Sequence, residues 1–139
     1  MQIVYQLRRN QKFIDQVQKA TLTTKEFGIQ QTHGLFGSPE WWENIQTGKL
    51  KTHVVRGVIH RVYMGSQNDW PMCEVLSDDG EISKWTREMQ DFSSDSLYRI
   101  GAKIEIDYVL QKSKPDAPWS AGAEQKNVLE IRIEDTPMN

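Results

Sequence analysis

Ala102, Ile104, Ile106, Tyr108 and Leu110 alternate with Lys103, Glu105, Asp107 and Gln111. Successive side chains of a strand point to opposite faces, so this spacing seals one face against a core and leaves the other in water. Residues 127–134 repeat it, with Leu129, Ile131 and Ile133 set against Glu130, Arg132 and Glu134. Two such segments predict an antiparallel sheet with one apolar face. Every other element has to be reconciled with that sheet.

Further strands follow from composition and punctuation. Residues 53–64 are rich in β-branched side chains, and Gly57 in their midst predicts a bulge or a sharp coil. Residues 65–71 read as a loop. Residues 72–77 and 81–87 read as a hairpin around Asp78-Asp79-Gly80. A two-residue Asp79-Gly80 turn would set Leu76 opposite Ser83 and Glu74 opposite Trp85. A three-residue loop with a left-handed Gly80 sets Leu76 opposite Ile82, Glu74 opposite Lys84 and Cys73 opposite Trp85. The second register yields an aliphatic pair, an ion pair and a Cys–Trp pair, which is the better set of cross-strand contacts. It predicts Cys73, Val75 and Trp85 inside, with Glu74 and Lys84 outside.

Ahead of the strands the pattern is helical. Ile3, Val4, Leu7, Ile14 and Val17 fall near one face at a 3.6-residue period, which predicts an amphipathic helix within residues 3–20. Ser38-Pro39-Glu40 is a helix start, with serine as cap, proline at the first position and glutamate at the positive end of the dipole. Gly48 is the stop, giving a helix at about 39–47. So short a helix must be held by packing, and Trp41, Trp42 and Ile45 share its broad face. They read as core, with an exposed aromatic clamp as the rival. The chain thus divides into an N-terminal helical arm at 1–30, one domain at 31–134 with the strands at 51–134, and a loose tail at 135–139. Residues 113–125 form a loop around Trp119.

Five strands, a coiled first strand with a glycine, a tight second hairpin and Gly101 opening the fourth strand resemble an OB-type barrel, with an SH3-like barrel as the nearest rival. The fold class is mainly β, α+β, with helical segments in front of the barrel. The run Gly34-Leu35-Phe36-Gly37-Ser38-Pro39-Glu40-Trp41-Trp42, with the later Trp85-Thr86-Arg87, resembles a family of small bacterial proteins to which no activity is attached. That resemblance implies a bacterial origin and no mechanism.

The chemistry is defined by what is missing. One cysteine, Cys73, rules out an internal disulfide framework. His33, His53, His60 and Cys73 are the candidate metal ligands, but they lack the spacing of a zinc site. His53 and His60 are seven apart, an odd number that sends them to opposite faces of a regular strand. No phosphate-binding loop, nucleophile elbow or dinucleotide fingerprint occurs. Asp78-Asp79 and Asp91/Asp95 read as turn formers rather than catalytic carboxylates. No metal, no cofactor and no catalytic residue is expected. No apolar run approaches the roughly 18 residues of a membrane span. The expectation is a cytoplasmic protein without membrane attachment.

Charge bears on the partner. Lys and Arg number 17 against 19 Asp and Glu, for a net charge of −2. Residues 1–50 carry +2 and residues 51–139 carry −4, the wrong sign for neutralising phosphates over most of the chain. The leading expectation is therefore a non-enzymatic binding module with a protein partner, or with a second copy of itself through the N-terminal arm. The rival is single-stranded nucleic-acid binding through an aromatic and basic face made of Arg56, His60, Tyr63, Trp70, Lys84, Trp85 and Arg87. Glu74, Asp78, Asp79 and Glu81 on the same hairpin would repel phosphates.

Overall fold

Apolar alternation does build a sheet, and the sheet has one more strand than the sequence pattern announced. A computed structural model describes residues 1–65, 67–118 and 122–135. Trp119 and residues 136–139, expected in a loop and a loose tail, lie outside the described residues. In chain order the elements are β1 (Gln2–Gln6), α1 (Gln11–Thr23), α2 (Pro39–Gln46), β2 (Thr52–Gly65), β3 (Trp70–Ser77), β4 (Ile82–Thr86), β5 (Lys103–Lys112) and β6 (Glu124–Ile133). Short 3-10 turns occupy Leu7–Arg9 and Phe92–Leu97. The strands form one antiparallel sheet in the order β1-β6-β5-β2-β3-β4. β1 and β4 are its two edges, so the expected OB-like or SH3-like barrel closure is not realised. Among the described residues no helix is long and apolar enough to cross a membrane.

The extra strand is the start of the supposed helical arm. Gln2 faces Ile133, Ile3 faces Arg132, Tyr5 faces Ile131 and Gln6 faces Glu130, with an irregularity between Ile3 and Tyr5. That irregularity lets both Val4 and Tyr5 be buried. Ile3, Val4 and Leu7 imitate a helical stripe because a bulged strand running into a 3-10 turn has no clean period of two. The outer rim of β1 is occupied by Gln90. Its backbone N–H donates to the Val4 carbonyl, and its side-chain amide exchanges hydrogen bonds with the backbone of Gln6 at 2.7 and 2.9 Å. This covers an edge that would otherwise invite pairing with another chain.

By contacts the chain forms two compact units: residues 1–6, 54–107 and 129–139 make the first, and residues 7–53 and 108–128 the second. In the first, Ile59, Cys73, Val75, Trp85, Ile104, Ile106, Ile131 and Ile133 are buried together with Leu97, Tyr98 and Ala102. The hairpin register is the three-residue one. Leu76 faces Ile82, Glu74 faces Lys84, Cys73 faces Trp85, and Gly80 has a φ of +90°. β2 is bulged between Ile59 and Arg61.

In the second unit the start of α2 read from sequence holds, while the first helix begins only at Gln11. Ser38 accepts a hydrogen bond from the Trp41 N–H at 3.2 Å, with Pro39 opening α2. Asn10 caps α1 by accepting from the Phe13 N–H. Trp41 is fully buried, its ring 4.7 Å from that of Phe36 and 4.8 Å from that of Trp42. Its indole N–H donates to the buried Gln111 amide oxygen at 3.1 Å, so Trp41 is core and no clamp. Trp42 lies under the Arg8 guanidinium, 3.9 Å from the ring centre. Lys114 donates to the carbonyls of Thr21 and Thr24, a cation at the negative end of α1. The alternation along β5 does not persist to its end. Burial passes from Ile104 and Ile106 to Val109 and Gln111, and Tyr108 stacks on His53 instead of turning inward.

Gly57 marks a close approach of backbones. A Cβ there would stand 2.1 Å from the Leu76 carbonyl oxygen and 2.8 Å from the Ser77 Cα. Gly80 has open space around it, so its substitution meets only the left-handed backbone penalty of about 1–2 kcal/mol. Urea unfolding of Gly57→Ala should therefore show a loss of about 3 kcal/mol, clearly larger than that of Gly80→Ala. Equal losses would show that β3 yields easily at this contact.

Candidate functional site

Register and bulge together sort the side chains of β2, β3 and β4 onto two faces. Cys73, Val75, Trp85 and Ile59 are on the sealed one. The alternate residues form cross-strand rows on the other. Val58, Leu76 and Ile82 make an aliphatic row. Arg61, Glu74 and Lys84 make a charged row, and Tyr63, Met72 and Thr86 a third. Trp70 follows opposite Gly65.

The seven residues singled out by sequence do not share one face. Trp85 is buried opposite Cys73, and its indole N–H donates to Ser83 Oγ at 2.7 Å. Arg87 is a staple: its Nη1 donates to the carbonyls of Tyr63 at 3.4 Å and Met72 at 3.2 Å. Its Nε lies 3.4 Å from Asp95, and only 10% of the side chain is exposed. His60 is exposed at the bulge of β2, between the inward Ile59 and the outward Arg61. Arg56 is exposed and pairs with Glu105 at 3.3 Å. Tyr63, Trp70 and Lys84 do come together on the outer face. Tyr63 lies beneath the Arg61 guanidinium at 4.2 Å, and Trp70, 54% exposed, donates from its indole to Thr86 Oγ1 at 3.0 Å.

Sequence reasoning missed the busiest cation on the outer face. Arg132 makes a bidentate pair with Asp107 at 2.8 and 2.9 Å, reaches Glu105 at 3.0 Å and bonds Glu130. The hydrogen bonds with Asp107, then those with Glu130 and Glu105, hold its pKa above the usual guanidinium value against the opposing effect of burial. The signal was present, because the alternation in residues 129–134 sends Arg132 outward and that in 102–107 sends two carboxylates the same way. Gln6 also donates to Glu130 at 2.9 Å. Arg61, Met72 and Ile82 were equally readable once the hairpin register was chosen.

Among the described residues no group of three or more His, Cys, Asp or Glu side chains stands ready to hold a metal ion. Burial pushes the Cys73 thiol up to about 11, with the Arg87 charge opposing only in part. The thiol is therefore neutral at physiological pH and shielded from solvent. An aromatic disulfide reagent at pH 8 should label it in 6–8 M urea and leave the native chain unlabelled over the same minutes. Rapid native labelling would show that the sealed face opens. The fold favours the neutral thiol, so this group's contribution to stability is full below the ordinary thiol pKa near 8.5. It is lost as pH rises through about 11.

No curated protein matches the chain. A family model described as "Immunity protein RhsI2" matches residues 1–134, a span that takes in the six strands of the sheet. The chain belongs to the RhsI2 immunity protein family.

Proposed function

We propose that this chain is the immunity partner of a protein toxin and acts by binding it, without catalysing a reaction. The observation that carries this reading is the family match along residues 1–134. The placement of the polar groups supports it. Cys73 is neutral and buried, and the Arg132 cluster pairs its carboxylates with a permanent cation instead of leaving them to act as acid and base. Binding a protein asks for a rigid surface, and a sheet with one well-sealed face supplies one.

The nucleic-acid reading finds no support in the same geometry. Of the residues it needs, Trp85 is inside and Arg87 is engaged with main-chain carbonyls. Stacking platforms need exposed rings, and phosphate tracks need unengaged cations.

The direct test is calorimetric titration of the purified chain with its cognate toxin domain, prepared as an inactive variant. A one-to-one complex is expected with a Kd in the nanomolar range, about −12 kcal/mol. Co-expression with the active toxin should restore growth. Absence of both heat and rescue would overturn the reading. Micromolar, salt-sensitive binding to labelled single-stranded oligonucleotides would favour the rival.

A further inference from the structure

Two of the three cross-strand rows on the outer face of β2, β3 and β4 are apolar or aromatic. A face turned to water ordinarily carries polar side chains in alternation with the core. Here Val58, Leu76 and Ile82 form one row and Tyr63 and Met72 belong to another, with Trp70 beyond them. Ile82 and Trp70 are each 54% exposed. Between the apolar rows runs Arg61–Glu74–Lys84, in which Arg61 bonds Glu74 at 3.4 Å. Apolar rows around a charged, hydrogen-bonding strip match the make-up of a protein interface better than that of an idle surface.

The charge around this face states what fits it. The first compact unit carries seven basic and thirteen acidic side chains. Five of the seven basic ones, Arg56, Arg61, Arg87, Arg99 and Arg132, are engaged in ion pairs. At one end of the apolar rows stand the exposed Asp78, Asp79 and Glu81, directly before Ile82. At the other end stands the exposed Asp69, directly before Trp70. None of these four carboxylates is in an ion pair among the described residues. Three strands about 4.8 Å apart, over the three rows and Trp70 beyond them, give a patch on the order of 350 Å², roughly half of what one partner buries in a standard interface of about 800 Å² a side. A stable complex must therefore also cover the rim, and the rim is acidic.

We infer that the outer face of β2–β4 is the toxin-docking surface, and that its occupant is a toxin surface with apolar strips on either side of a polar one and with lysine and arginine at its ends. This rests on the immunity reading above. Trp70 and Ile82 are the anchors, and the Asp78/Glu81 end steers the basic rim, so the two should separate kinetically.

The experiment is surface plasmon resonance of immobilised chain with the inactive toxin domain, at two salt concentrations. Trp70→Ala/Ile82→Ala should raise Kd at least 30-fold, mainly through faster dissociation. Asp78→Lys/Glu81→Lys leaves the Asp79 side chain accepting from the Glu81 N–H. It should slow association about tenfold and remove most of its salt dependence. Asp78 and Glu81 are exposed and outside the strand pairings, so that variant should keep the wild-type unfolding midpoint, while Trp70→Ala/Ile82→Ala, which loses the indole bond to Thr86 and the pairing with Leu76, should stay folded with a lowered midpoint. Lys12→Glu/Lys19→Glu, on the exposed side of α1, should bind as wild type. Wild-type affinity in both face variants would overturn this surface while leaving the immunity reading standing. A wild-type chain that does not bind the toxin at all would overturn both.

Discussion

The contact on which the first unit depends is Cys73 opposite Trp85, with Val75 one step along β3. Side chains alternate with a period of two, so slipping this pairing by one residue would send every inner side chain of the hairpin to the outside. Bringing Cys73, Val75 and Trp85 inside puts Glu74, Lys84, Leu76 and Ile82 outside in one move. The Arg87 staple fastens the same register from the end of β4, since its guanidinium reaches carbonyls of both β2 and β3. What the protein can show to a partner is thus decided by what its core must hide.

That choice was legible from residues alone, because three independent pairings agreed on it. Leu76 with Ile82, Glu74 with Lys84 and Cys73 with Trp85 each favour the same loop length, and Gly80 supplies the left-handed residue that the loop needs. The capped start of α2 was readable for a similar reason, since Ser38, Pro39 and Glu40 each satisfy a different requirement of a helix N-terminus. Where several local demands coincide, sequence determines structure closely.

The failures have equally local causes. Residues 2–6 imitate a helix because a bulge puts Val4 and Tyr5 both inside, and what makes them a strand is Ile131 and Ile133, over a hundred residues away. Barrel closure was inferred from strand count and glycine punctuation, neither of which fixes the sheet's edges. The outer edge of β1 is covered instead by Gln90, whose role depends on a chain path no periodicity reveals. The hairpin register already puts Trp85 inside, and only the nucleic-acid rival needed it exposed beside Arg87. Here Trp85 fills the core, and Arg87 meets hydrogen-bonding demands of the main chain.

The central claim is that the sheet's outer face, rather than its edges or the helices of the second unit, meets the toxin. Hydroxyl-radical footprinting of the free and toxin-bound chain tests it most directly, because Trp70, Met72 and Tyr63 on that face are all strong reporters. Protection of Trp70 and Met72 on complex formation, with Phe13 and Phe27 of the second unit as reactive as before, is the result this account requires. Unchanged Trp70 and Met72 beside protected Phe13 or Phe27 would contradict it.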